Sequence, residues 1–309
     1  MLAFSLAECM VACSSILLIV LLLTEILDWP QLFSWMENDY HLPAFSFGYA
    51  HPNGPHTWKD LYPESAGYNQ SPINITTRLA VVVQPSEPLL WSNYNNGPLS
   101  MTIANDGHTV ILRGLWTSTT WPQLQGGPLT DTYDFFNVLF HWGPSNEEGS
   151  EHTLDYARYP MELQIVHVKR GIKSPADAVA LGAKDGIVIV SFFLQINEAD
   201  NPYFDHIVSN LWRITCPGSK VCIPHFPLEW IFTPFDRDYY TYSGSLSQPP
   251  CSEIVTWIVQ ERAIAISPSQ VKKFRKICST EGPILLNCRP VQPLNDRDVY
   301  FYEDSLSRK

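Results

Sequence analysis

From residue 36 onward the hydrophobic pattern is one of short β-branched and aromatic runs separated by turn residues. Leu99–Ile103, Thr109–Leu112, Phe135–Trp142, Met161–Val168, Ile187–Ile196 and Ala263–Ile266 are the predicted strands. Helical signatures are few. Ser174-Pro175-Ala176-Asp177 sets an N-cap, a proline at the first helical position and an acid at the third, predicting a helix that stops near Gly182. Ser267-Pro268-Ser269-Gln270 repeats the device ahead of Val271–Cys278. No repeat, low-complexity tract or dividing linker occurs, so the pattern describes one mainly β (α+β) domain over residues 36–304, with peripheral short helices and a tail at 305–309.

The first 35 residues differ. Cys9 to Leu23 is apolar apart from Ser14 and Ser15, close to a signal-peptide core in length and short of the roughly 20 residues that span a bilayer. No Lys or Arg precedes Lys59, while Glu8, Glu25 and Asp28 flank the run, so the basic flank that orients a signal or anchor is missing. Residues 1–35 therefore keep three readings: a signal peptide, an anchor with membrane contact through residues 12–27, or a leader ahead of a functional start at Met36.

Composition narrows the function. In 309 residues, 45% are hydrophobic, with 10 Trp, 14 Tyr and 15 Phe, enough apolar surface for a large core and far from a disordered chain. A formal charge of −11 repels a phosphate backbone, and the short run Lys272, Lys273, Arg275, Lys276 reads as a solvated helix face. Nucleic acid is not an expected partner. Seven cysteines, two of them in the leader, form no CxxC and no even framework. That set fits reduced thiols, with Cys216–Cys222 and Cys278–Cys288 left open as pairings.

Chemistry concentrates in Phe140-His141-Trp142-Gly143, Gly149-Ser150-Glu151-His152-Thr153 and Met161-Glu162-Leu163-Gln164-Ile165-Val166-His167. The first and third are strand-like, so residues two apart share a face. A strand with histidines at i and i+2, joined by one from its neighbour, builds a tetrahedral zinc site with an open fourth position. Here the face of His141 offers Leu139 and Asn137, and leucine has no lone pair.

The chain resembles the α-carbonic anhydrases over residues 45–301. The resemblance rests on Phe47-Gly48-Tyr49, Asn53-Gly54-Pro55, Gln70-Ser71-Pro72-Ile73-Asn74-Ile75, Asn105-Asp106-Gly107-His108-Thr109, Gly126-Gly127-Pro128-Leu129, the segments above, Gly244-Ser245-Leu246-Ser247-Gln248-Pro249-Pro250 and Arg289-Pro290-Val291-Gln292-Pro293-Leu294. It implies a single α-carbonic anhydrase-type domain with a large twisted, mostly antiparallel sheet of about ten strands. It places the three zinc-histidine positions at Leu139, His141 and Gln164, of which only His141 is a histidine. Without bound zinc, water keeps a pKa near 15.7 rather than about 7 and supplies no hydroxide at neutral pH.

The resemblance also gives roles to what remains. His108 stands at the proton-shuttle position, Glu151 at a buried acid that accepts from a hydroxyl, Ser247 at that hydroxyl, and Glu162 at the carboxylate orienting the third ligand. Gln248 brings a larger amide into the substrate space, whose apolar wall is Val166, Ile189, Leu246 and Trp257. His152 and His167 read as packed, hydrogen-bonded residues. Cys251 matches a cysteine whose usual partner is here Ser65, favouring a reducing, cytoplasmic location over a secreted or anchored one. The expected function is a catalytically inactive carbonic anhydrase-related protein, holding no zinc and acting through an unidentified protein partner. The competing readings are a zinc-dependent CO2 hydratase with a substitute ligand set, His108 being the spare imidazole, and a small-molecule or anion binder.

Overall fold

The computed structural model describes residues 47–232 and 238–303. The predicted leader, the first residues of the predicted domain and the tail lie outside these. In chain order the strands are β1 (Asn74–Ile75), β2 (Val81–Val83), β3 (Leu89–Ser92), β4 (Ser100–Asn105), β5 (Val110–Leu115), β6 (Gln123–Gly126), β7 (Tyr133–Trp142) and β8 (Thr153–Leu154). They continue with β9 (Met161–Lys169), β10 (Ile187–Ile196), β11 (Lys220–Ile223), β12 (Tyr239–Gly244), β13 (Val255–Ile266), β14 (Cys278–Ser279), β15 (Gly282–Pro283) and β16 (Tyr300–Tyr302). The α-helices are α1 (Trp58–Leu61), α2 (Pro175–Ala180), α3 (Asp205–Val208) and α4 (Pro268–Phe274).

One 12-stranded sheet organises the domain in the order β11-β4-β5-β7-β9-β10-β13-β12-β16-β2, with β6 pairing β7 and β3 pairing β6 at its side. The pairings are antiparallel except β10 with β13 and β16 with β2. The β3–β6 branch carries the strand number past the expected ten. Alternation sorts the side chains: Val188, Val190, Phe192 and Leu194 of β10 enter the larger core cluster, while Ile187, Ile189 and Phe193 face the smaller one. Strands β9, β10 and β13 are buried for most of their length, and β10 accordingly reads as a near-continuous apolar run.

Both predicted helix starts form. The Ser174 side chain accepts from the Asp177 N–H at 3.1 Å, and Ser267 with Gln270 makes a complete capping box. The second helix ends at Phe274 rather than running to Cys278. Tertiary bonding stops it: the Arg275 guanidinium donates to the carbonyls of Gly143 (2.7 Å) and Ser145 (2.5 Å), and the Cys278 N–H bonds Thr215 to begin β14.

Candidate functional site

β7, β9 and β10 run side by side, and their register builds the site. Leu139 is paired with Gln164 and His141 with Glu162 across β7–β9, and Gln164 is paired with Ser191 across β9–β10. The strand pleat therefore brings Leu139, His141, Glu162 and Gln164 onto one face. The loop carrying Glu151 and His152 is held against it through Gly149, whose φ of +153° and proximity to the Pro160 carbonyl leave no room for a Cβ.

Glu162 is the hub. Its Oε2 accepts from the backbone N–H groups of Glu151 (2.9 Å) and His152 (2.8 Å), and its Oε1 from His152 Nδ1 (2.9 Å), Ser191 Oγ (2.7 Å) and Gln164 Nε2 (2.9 Å). Burial pushes this carboxyl toward its neutral form, but the charge and hydrogen bond of His152, then His141 and Ser191, outweigh burial and hold it at about 2. His152 Nε2 continues the chain to the Tyr242 hydroxyl at 2.8 Å, which donates to Ser71 at 2.9 Å.

Gln164 bridges the centre. Its Nε2 donates to Glu151 Oε2 at 2.8 Å as well as to Glu162, and its Oε1 lies 3.2 Å from His141 Nε2. The other His141 nitrogen, Nδ1, bonds the Asn287 carbonyl at 2.8 Å and lies 3.6 Å from Glu151 Oε1. His141, Glu151 and Glu162 are fully buried, and Gln164 nearly so. Glu151 Oε1 accepts from the Arg289 backbone N–H at 3.0 Å. The expected Ser247–Glu151 pairing is not among the hydrogen bonds of the described residues, where Glu151 accepts from Gln164 and from the Arg289 N–H.

The four residues expected to wall the substrate space pack together. Val166, Ile189, Leu246 and Trp257 share one cluster with Leu139. The Gln248 amide is buried, with the Tyr49 side chain beside it. His108 lies at the edge of a separate cavity of about 340 Å³, stacked on Phe47 with ring centroids 3.8 Å apart. Burial lowers its pKa, with Asp106 opposing. Among the described residues no group of three or more His, Cys, Asp or Glu is arranged to hold a metal ion.

The profile of the eukaryotic-type carbonic anhydrase family matches residues 53–303. The chain belongs to that family. Carbonic anhydrase 1 of Mus musculus is 38% identical to it over 265 residues, covering 84% of this chain and 98% of the relative. Carbonic anhydrase 3 of Homo sapiens is 34% identical over 264 residues, and that of Sus scrofa 35% over 263, each covering 83% of this chain and 98% of the relative.

Within this carbonic anhydrase domain two residues that sequence reasoning missed close the site. The Asn287 side chain accepts from Trp142 N–H (2.7 Å) and donates to the Phe140 (3.0 Å) and His108 (3.1 Å) carbonyls. Arg289 adds side-chain bonds to Gln70 and to the Ser65 and Ser71 carbonyls. The Arg289-Pro290 run was a visible signal, but nothing local marked Asn287. The five described cysteines are free thiols, and burial pushes that of Cys251 up to about 12. None of the described helices is long and apolar enough to cross a membrane, and residues 1–35 lie outside them.

Proposed function

We propose that this carbonic anhydrase family member is catalytically inactive and acts by binding another protein. The observation that carries the reading is the Gln164 amide, which occupies the centre with both ends engaged, its oxygen toward His141 and its nitrogen on Glu151 and Glu162. Zinc requires lone pairs converging in a tetrahedron. At the three positions aligned with the family's ligands, Leu139 has no donor atom, Gln164 carries only an amide oxygen, and His141 Nε2 faces that oxygen. This donor set does not fit the metal. His108, the imidazole a substitute set would need, is stacked on Phe47. Free thiols at Cys251 and the other described cysteines support a reducing compartment for the chain.

Elemental analysis of the dialysed protein is expected to give less than about a tenth of a zinc per chain, and CO2 hydration at the buffer rate. Stoichiometric zinc or a sulfonamide-sensitive rate overturns the reading. The double change Leu139→His with Gln164→His should bind zinc and recover a hydratase rate, because Glu151 and Glu162 remain to orient new imidazoles. Each single change should do far less.

A further inference from the structure

Away from this centre, a cavity of about 1100 Å³ opens between β3, the segment after β10 and the turn that precedes residue 233. Its floor is aromatic. Trp230 is 43% exposed and Tyr203 53% exposed, their rings 6.3 Å apart, and Trp230 is backed by Phe226 at 6.4 Å and by His206 at 6.4 Å. Leu90, 44% exposed, supplies an apolar shelf. Among the described residues the charged groups lining the cavity are Glu229 and Asp200, with no Lys, Arg or His.

The two acids differ in availability. Asp200 accepts from the Ser267 hydroxyl and from Ser269 at 2.7 Å and lies in the field of Lys273. Glu229 is exposed, and among the described residues its carboxylate has no hydrogen-bond or ion-pair partner. A carboxylate and an exposed tryptophan lining one cavity can together recognise an ammonium or guanidinium, through the anion and the ring quadrupole. The chain's formal charge of −11 attracts the same kind of ligand at long range. The volume exceeds what one cationic side chain needs and accommodates several residues of a peptide.

We propose that this groove docks a basic, partly apolar segment of a partner protein, with an Arg or Lys side chain over Trp230 and its charge against Glu229. The inference rests on the protein-binding half of the reading above. Zinc content and hydration rate decide the other half and do not involve Trp230, so the two fail separately.

The test uses the full chain and short labelled peptides of three kinds: alternating Arg and Leu, the same with Gln for Arg, and the same with Glu for Arg. Fluorescence anisotropy should show the Arg peptide binding at least about tenfold more tightly than the Gln peptide, with affinity falling as salt rises. Trp230→Ala should weaken it about tenfold and Glu229→Gln about threefold. Thermal unfolding checks each variant, and if Trp230→Ala misfolds, Tyr203→Ala and Glu229→Gln, both at exposed positions, carry the decision. Equal binding of the three peptides, or wild-type affinity in these variants, overturns the proposal. So does tighter binding of a peptide of residues 12–27, or self-association that Trp230→Ala abolishes, since either names a different occupant.

Discussion

β9 carries buried polar groups on both faces, and the two faces are built differently. On one, Glu162 accepts from five donors and Gln164 ties it to Glu151 and His141, so each group has several partners. On the other, His167 has the Tyr94 hydroxyl on one ring nitrogen and the Val188 carbonyl at 3.3 Å on the other, inside an aromatic shell with Trp91 and Phe135. Burial depresses this imidazole to about 3, although backbone hydrogen bonds at Val188 and Ile165 pull the other way. One face keeps an anion by surrounding it with donors; the other keeps a ring neutral by excluding water. The first kind of site stays satisfied with an amide at its middle, because the donors and acceptors it needs are all protein groups.

The sharpest way to break this contrast is Glu162→Gln. It should cost about 3 to 5 kcal/mol in urea unfolding, since it removes a buried charge and sets an amide N–H against existing donors. A loss under about 1 kcal/mol would show that the network is not the support described.

Acid titration separates the faces next. A carboxyl lowered from 4.5 to about 2 stabilises the fold above pH 4.5 and loses that contribution as pH falls toward 2. A histidine lowered from 6.5 to about 3 is protonated more readily when unfolded, so its contribution is complete above pH 6.5 and is lost as pH falls toward 3. Between pH 6.5 and 4.5 the His167 contribution therefore changes before that of Glu162. Replacing it by Phe should reduce the slope of stability against pH there by up to about 1.4 kcal/mol per unit. His108 titrates in the same direction and leaves a residual slope. An unchanged slope in His167→Phe would place the acid sensitivity elsewhere.

A smaller effect is expected from Gln164→Leu, about 1 to 2 kcal/mol, because Glu151 keeps the Arg289 N–H and Glu162 keeps four donors. Smallest is Ser174→Ala, about 1 kcal/mol from a lost helix cap remote from both faces of β9. Equal losses for Glu162→Gln and Gln164→Leu would mean that the amide, not the carboxylate, is the hub.

Much of this arrangement was legible in the chain. Short β-branched and aromatic runs marked β7, β9 and β10, and the short motifs around His141, Glu151 and Glu162 placed those residues together. The Ser-Pro starts of α2 and α4 were readable because a cap is a local event within four residues. The partners of Glu151 were not readable locally, since one of them is a backbone N–H from residue 289, more than a hundred positions away. The end of α4 was misjudged for the same reason: helical spacing continues past Phe274, but Arg275 is held by the loop after β7. Local pattern fixes which face a residue takes, and distant segments decide what it finally bonds.

Asn287 gives that distance a history within the life of each molecule. His141 waits 146 positions for the carbonyl that fixes its ring, and Trp142 waits 145 for the side-chain oxygen that accepts its N–H. At about 5 to 20 residues per second the ribosome needs roughly 7 to 30 seconds to cover that stretch. Throughout that interval the middle strands are complete in sequence but lack their fastening. A nascent chain halted before residue 287 has no finished centre, so the interior of this domain is sealed only long after its middle strands have been made.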